Sequence, residues 1–365
     1  MATATRHPLL SWTTAVPVLA LVVLVLTWGR DLPTVVEVLV AVVLVGAVLA
    51  AVHHAEVVAH RVGEPFGSLV LAVAVTVIEV ALIVTLMVSG GDEAASLPRE
   101  TVFAAVMITC NGIVGLSLLL GALRHDVVVF NAEGTGAALA TVTTLAVLSL
   151  VLPTFTLGAV GPQFSPGQLA FAAVASLVLY GAFVVTQTVR HRDFFLPVGR
   201  EGGPVEEEHA EPPSGRAALT SLGLLLAALV AVVGQAKVES PAIEAAVAAV
   251  GFPQSFVGVV IALLVLLPET LAAGRAARRD RMQISLNLAF GSAMASIGLT
   301  IPAIAVASIW LEGPLLLGLG ATQVVLLAVT VVVGVLTVVP GRATRLQGAV
   351  HLVLLAGFLF LAVNP

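Results

Sequence analysis

Glu79 and Glu269 are the two residues whose setting calls for a chemical explanation. Glu79 is the only charged residue in GSLVLAVAVTVIEVALIVTLMVSGG (67–91), and Glu269 is the only one in the apolar run 255–274, 190 residues later. A carboxylate in the middle of a membrane helix costs about 2.5–3.5 kcal/mol on insertion scales, so an intramembrane acid is a functional candidate by default. None of the apolar runs contains a Lys or Arg to neutralise it. Two carboxylates brought together offer hard oxygens, which suit Ca²⁺ or Na⁺. Burial and mutual repulsion favour their protonated forms when no cation is bound. Such a pair holds either protons or a cation.

Other residues near these acids carry polar atoms at useful spacing. Thr76 lies one turn before Glu79, and Pro268 directly precedes Glu269. Pro268 lacks an N–H and frees a carbonyl about one turn earlier. The apolar run after Glu79 carries Asn111, Gly112, Gly115 and Ser117; the run after Glu269 carries Asn287, Ser292, Ser296 and Thr300. Such residues allow close helix packing, and Asn or Ser also bonds across helices. Asn111 is the best ligand candidate among them, because its amide lies between apolar neighbours. Glu56 and Glu244 sit near helix ends, where they are either solvated or gate cation entry. HHAEVVAH puts His53, Glu56 and His60 on one helical face, a spacing a zinc-dependent hydrolase could use, although it is not the HExxH pattern.

The elements that position these residues follow from composition. Of the 365 residues, 59% are hydrophobic and only 10% charged, against roughly 25% charged in soluble proteins. Apolar runs at 9–28, 33–53, 67–90, 100–122, 135–159, 167–189, 217–235, 255–274, 284–310, 315–339 and 347–363 predict an all-α polytopic membrane protein of about eleven transmembrane helices. If all eleven cross, thirteen of the sixteen Lys and Arg fall on one side with the N-terminus. Positive loops stay in the cytoplasm, so the N-terminus is expected inside and the C-terminus outside. A single cysteine, Cys110, excludes an intrachain disulfide framework.

Residues 190–216 form the only long polar stretch, with Glu206, Glu207 and Glu208 in a run, and read as an acidic cytoplasmic linker. The stretches flanking it resemble each other. AEVVAHRVGEPFGS (55–68) matches IEAAVAAVGFPQSFVG (243–258): Glu56 falls on Glu244, Val62-Gly63 on Val250-Gly251, and Pro65 on Pro253. Thirteen residues beyond Phe66 and Phe256 come Glu79 and Glu269. The expected organisation is therefore one extra N-terminal helix (1–32), a five-helix repeat (33–189), the linker (190–216) and a second five-helix repeat (217–365). Five helices is an odd number, so the repeats are inverted, a plan that puts the site near the midplane at the repeat interface.

HRVGEPFGSLVLAVAVTVIEV, NGIVGLSLLLGALRH and LPETLAAGRAARRDRMQISLNLAFGSAMASIGLTIPA together resemble the cation/Ca²⁺ exchanger superfamily, in particular its bacterial ChaA-type Ca²⁺/H⁺ and Na⁺/H⁺ antiporters. The resemblance covers roughly residues 50–310. It implies two sequence motifs, about 63–123 and 251–310, each with one essential glutamate. Those correspond to Glu79 and Glu269, with Asn111 and Ser292 or Ser296 as their neighbours. Relatives often have Gly-Asn-Ala before each glutamate and a Gln after Gly-Ser. This chain has VTVIEV, LLPETL and Ala295 at those places, which leaves the choice among Ca²⁺, Na⁺ and K⁺ open. The resemblance implies a cell-membrane antiporter exchanging one of these cations for H⁺ by alternating access. The cation and protons are cargo, lipid is the surrounding partner, and neither a cofactor nor nucleic acid is called for. Glu56, Glu244, Thr76, Pro268 and Thr300 stand as secondary or gating candidates.

Overall fold

A computed structural model describes residues 11–63, 66–90, 95–198, 213–310 and 313–365. The run Glu206–Glu208 therefore lies outside the described residues. Within them the chain forms helices α1 (Trp12–Thr27), α2 (Thr34–Val62), α3 (Phe66–Gly90), α4 (Leu97–His125), α5 (Ala132–Phe155) and α6 (Pro166–Arg190), then α7 (Gly215–Ala249), α8 (Phe256–Arg278), α9 (Met282–Ala307), α10 (Ala321–Val338) and α11 (Arg345–Val363). Ten are long and apolar enough to cross a membrane, and α1 is a shorter apolar helix of 16 residues. A two-residue antiparallel pairing joins β1 (Val128–Val129) to β2 (Arg342–Ala343). Helices are the natural result for such runs, because they satisfy the backbone without help from water.

The helices outrun their apolar cores in informative places. The apolar run 217–235 predicts an end near Gln235, yet α7 continues to Ala249 through Lys237, Glu239 and Pro241. Similarly α2 continues to Val62, so His53, Glu56 and His60 are all helical. Both helices stop at a glycine with φ of 75°, Gly63 and Gly251. That left-handed backbone costs glycine nothing and other residues a steric penalty. α8 extends past Arg275 to Arg278, so Glu269 sits well inside it, and Pro268 leaves α8 continuous. α9 is interrupted at Leu299, between segments Met282–Gly298 and Thr300–Ala307. α4 widens into a π-type turn at Ile108–Ile113, a feature frequent at functional sites.

The buried side chains form two clusters. One joins α1, α2, α3 and α7; the other joins α4, α5, α6, α9, α10 and α11. α8 belongs to both: Val257, Ile261 and Val265 face the first, while Val259, Ala262, Leu266, Ala273 and Ala277 face the second. These sets lie on different sides of one helix by their i, i+4 spacing. α2 and α7 lie against each other, and α1 packs on both. A Cβ at Gly46 of α2 would meet Val16 at 3.3 Å, and one at Gly234 of α7 would meet Leu24 at 2.5 Å. The helix neighbours also pair off: α4 lies on α11 as α9 lies on α6, and α5 on α6 as α10 on α11.

Candidate functional site

The two carboxylates lie at the seam between the clusters. Glu79, in the middle of α3, is 2% exposed. Its Oε2 accepts a 3.0 Å hydrogen bond from the Thr300 hydroxyl, and Ser296 stands in hydrogen-bonding position to the same carboxylate. α3 belongs to the first cluster and α9 to the second, so this contact crosses the seam. The interruption at Leu299 places Thr300, 0% exposed, at the start of a new helical segment that packs on α3.

Glu269 reaches the same seam from α8. It faces a cavity of about 240 Å³ between α3, α6, α8 and α9, whose wall includes Tyr180, Gln187, Asn287 and Ser292. Glu269 acts electrostatically with both Glu79 and Glu56. Three polar atoms are buried without a hydrogen-bond partner: Glu269 Oε2 and Ser292 Oγ on the cavity wall, and Thr76 Oγ1 one turn before Glu79 on α3. Buried polar groups are nearly always paired, and stranding one costs about 1–3 kcal/mol. Oxygens left unpaired beside two carboxylates are oxygens available to a cation.

The remaining candidates fall elsewhere. Asn111 does not join the carboxylates. It lies in the π-type turn of α4, 0% exposed. Its Nδ2 donates to Thr330 Oγ1 at 2.9 Å, and its Oδ1 pairs with His351 Nδ1 at 3.1 Å. His351 Nε2 in turn meets Thr337 Oγ1 at 3.1 Å. This chain of bonds ties α4 to α10 and α11. His351 is missing from the sequence-derived site set, although it is the sole ionisable residue in the run 347–363.

Glu56 lies on the exposed side of α2, acting electrostatically with Arg275 and Glu269. Glu244 accepts from Ser240 at 3.1 Å within its own helix, away from the pair. His53 turns toward the Trp12 ring at 6.5 Å, and His60 is exposed. Among the described residues no three His, Cys, Asp or Glu side chains gather where a metal could be held, so His53, Glu56 and His60 do not form the zinc cluster. Beside the cavity, Asn287 Nδ2 donates to the Phe195 carbonyl at 2.7 Å, and Phe195 packs edge-on against Phe183. The chain leaving α6 is thus tied to the cavity wall.

The sodium/calcium exchanger protein family matches residues 32–189 and 220–364. A protein of Sinorhizobium fredii named as an ionic transporter, y4hA, is 45% identical over 98% of this chain and 97% of its own length. The sodium-potassium/proton antiporter ChaA of Escherichia coli is 35% identical over 94% of this chain and 93% of its own. The crystal structure of the H⁺/Ca²⁺ exchanger CAX superposes with a TM-score of 0.71 over 95% of this chain and 86% of that one, at 16% identity. Apolar helices, intramembrane acids at a seam between two cores, and these full-length matches converge: the chain is a multi-pass membrane protein that belongs to the sodium/calcium exchanger family.

Proposed function

We propose that this protein exchanges Ca²⁺, and also Na⁺ or K⁺, for H⁺ across the cell membrane, with Glu79 and Glu269 as the shared binding groups. The observation that carries this reading is the set of unpaired buried oxygens on Glu269, Ser292 and Thr76, in the helices α3, α8 and α9 that also hold the buried Glu79 carboxylate. Protons bound to the carboxyls, or a cation bound to the same oxygens, each relieve the repulsion between the two acids. The two cannot occupy the site together, so loading one releases the other. Ser296 and Thr300 hold Glu79, and Thr76 and Ser292 complete the oxygen set.

The two-cluster build supports alternating access as the mechanism. The α1–α2–α3–α7 group moves against the rest, with the acids at the boundary. Family matches over 32–189 and 220–364 coincide with the inverted repeats expected at 33–189 and 217–365, and the paired helix neighbours fit a two-fold relation. The excess of basic loops puts the N-terminus inside and the C-terminus outside. The cavity wall reaches Gln187, near Arg190 at the end of α6, which with that orientation supports an inward-facing state. In that state Glu269 borders the cavity while Glu79 is enclosed between α3 and α9.

A second reading has little Ca²⁺ activity and Na⁺ or K⁺ as the cargo. The full-length relative named as a sodium-potassium/proton antiporter favours it. Everted vesicles with a pH dye, given each cation in turn, separate the two. In either case Glu79→Gln and Glu269→Gln each abolish cation-dependent proton flux while the protein still inserts. Full flux in either variant removes the two-carboxylate site.

A further inference from the structure

Gln235 and Glu239 lie one turn apart on α7, close to α1 and α2, and both are fully enclosed, at 0% and 2% exposure. The Gln235 amide nitrogen donates to the Ala20 carbonyl of α1 at 2.9 Å. That bond fixes the orientation of the amide, because a carbonyl accepts only from the NH₂ side. Gln235 Oε1 is therefore the free acceptor, and it is buried with no partner; so is Glu239 Oε1. The donors close in sequence are committed elsewhere. Ser240 gives its hydroxyl to Glu244 at 3.1 Å, and the Lys237 ammonium stands over the Trp28 ring, 5.3 Å from its centroid. α1 carries no charged side chain between Trp12 and Thr27. The charged group that acts on Glu239 is Glu37, near the start of α2, and it has the same sign.

The fold does not require these polar groups. The spacing that places Glu244 on Glu56 and Gly251 on Gly63 places Gln235 on Ala47 and Glu239 on Ala51. Both alanines are fully buried without any polar atom. An amide and an acid have been substituted into a packed helix crossing, where each leaves an acceptor stranded. Two stranded acceptors and a second carboxylate, with the one neighbouring ammonium, Lys237, turned to the Trp28 ring and bonded to neither stranded oxygen, are what a bound cation would satisfy. Every contributing atom is a hard oxygen, which selects alkali or alkaline-earth ions over soft metals.

We propose that Gln235, Glu239 and Glu37 form a second cation site, separate from Glu79 and Glu269, in the α1–α2–α7 crossing near Trp28. It takes a hard cation such as Ca²⁺ or Na⁺. Because it sits within the cluster holding α2 against α7, its occupancy fastens those two helices together.

The test measures binding in the purified full chain, which separates it from flux through the midplane pair. The Glu79→Gln/Glu269→Gln double variant is dialysed against radiolabelled Ca²⁺ or Na⁺, and its thermal unfolding is followed with each ion. The double variant retains one ion per chain and unfolds at a higher temperature with that ion present. Adding Glu239→Gln weakens retention about tenfold or more and abolishes the shift, and adding Gln235→Leu weakens retention independently. Helical circular dichroism identifies folded variants, and the second substitution keeps the test available where the first disturbs folding. No retention of either ion by the double variant overturns the site, as does retention indifferent to both substitutions. A stability change that follows pH with no cation response assigns the pair a shared proton and overturns it too.

Discussion

Thr300 and Glu79 are 221 residues apart in the chain and 3.0 Å apart in space, hydroxyl to carboxylate, across the boundary between two buried cores. A hydrogen bond to a charged group contributes about 1.5–3 kcal/mol. Thr300→Val keeps the shape and removes the donor, so the apparent affinity for the transported cation falls roughly ten- to a hundredfold. The KM for cation in everted vesicles reads this directly. A KM within about twofold of the parent would show that Thr300 does not hold the carboxylate in the binding state.

Thr76 and Ser292 lead to a divergence of stability and function. Each carries a buried hydroxyl with no partner, so deleting that hydroxyl removes a stranded polar group. Thr76→Val and Ser292→Ala leave the thermal unfolding temperature unchanged or raised. Both weaken cation binding, because each removes an oxygen from the site. Loss of stability together with unchanged KM would make these hydroxyls structural.

Asn111 is expected to behave in the opposite way. Asn111→Ala strands Thr330 and His351 in a packed interior, at roughly 1–3 kcal/mol for each group left unpaired. The unfolding temperature drops, while KM per folded molecule stays the same. A large KM change at normal stability returns Asn111 to the ligand set.

Two glycines on α11 offer a paired steric test. A Cβ at Gly348 would come within 2.7 Å of the Leu119 backbone nitrogen and 2.9 Å of the Gly115 carbonyl, whereas one at Gly357 would meet nothing within 4 Å. Gly348→Ala forces α4 and α11 apart and destabilises by about 1–3 kcal/mol. Gly357→Ala is neutral or stabilising by about 0.5–1 kcal/mol, the gain from replacing glycine inside a helix. Thermal unfolding of both variants measures the contrast.

Competition at one site fixes the sign of the pH response. Protons occupy the carboxyls at low pH and must leave before a cation binds, so KM for cation falls as pH rises and then levels off once the carboxyls are ionised. Vesicle flux across a pH series checks this. In Glu269→Asp, which keeps a carboxyl, the same direction of dependence persists. A KM that rises with pH is incompatible with shared occupancy.

Much of this architecture was legible from residue order alone. The apolar runs are local patterns, and the helices form over them; Glu79 and Glu269 lie inside α3 and α8, and Gly63 and Gly251 share a φ of 75°. What escaped depends on relations that patterns do not carry. Asn111 looked like a ligand because an amide among apolar residues must bond to something. The π-type turn aims it at Thr330 and His351 instead. Gln235 and Glu239 were hidden by the assumption that a polar stretch ends a helix, whereas α7 carries them into a helix crossing. Thr300 was only a secondary candidate, since its meeting with Glu79 requires the interruption at Leu299.

The packing of α1 on both Gly46 and Gly234 has a consequence for the order of biosynthesis. α1 and α2 leave the ribosome together, but the α7 surface that both of them bury against is synthesised close to two hundred residues later. Until then the small-residue face of α2, including Ala47, Val48, Ala51 and Ala55, has no permanent partner, and lipid or the insertion machinery must cover it. A nascent chain arrested before α7 would hold its first helices loosely. Their final arrangement is set only when the second half arrives and locks the first in place.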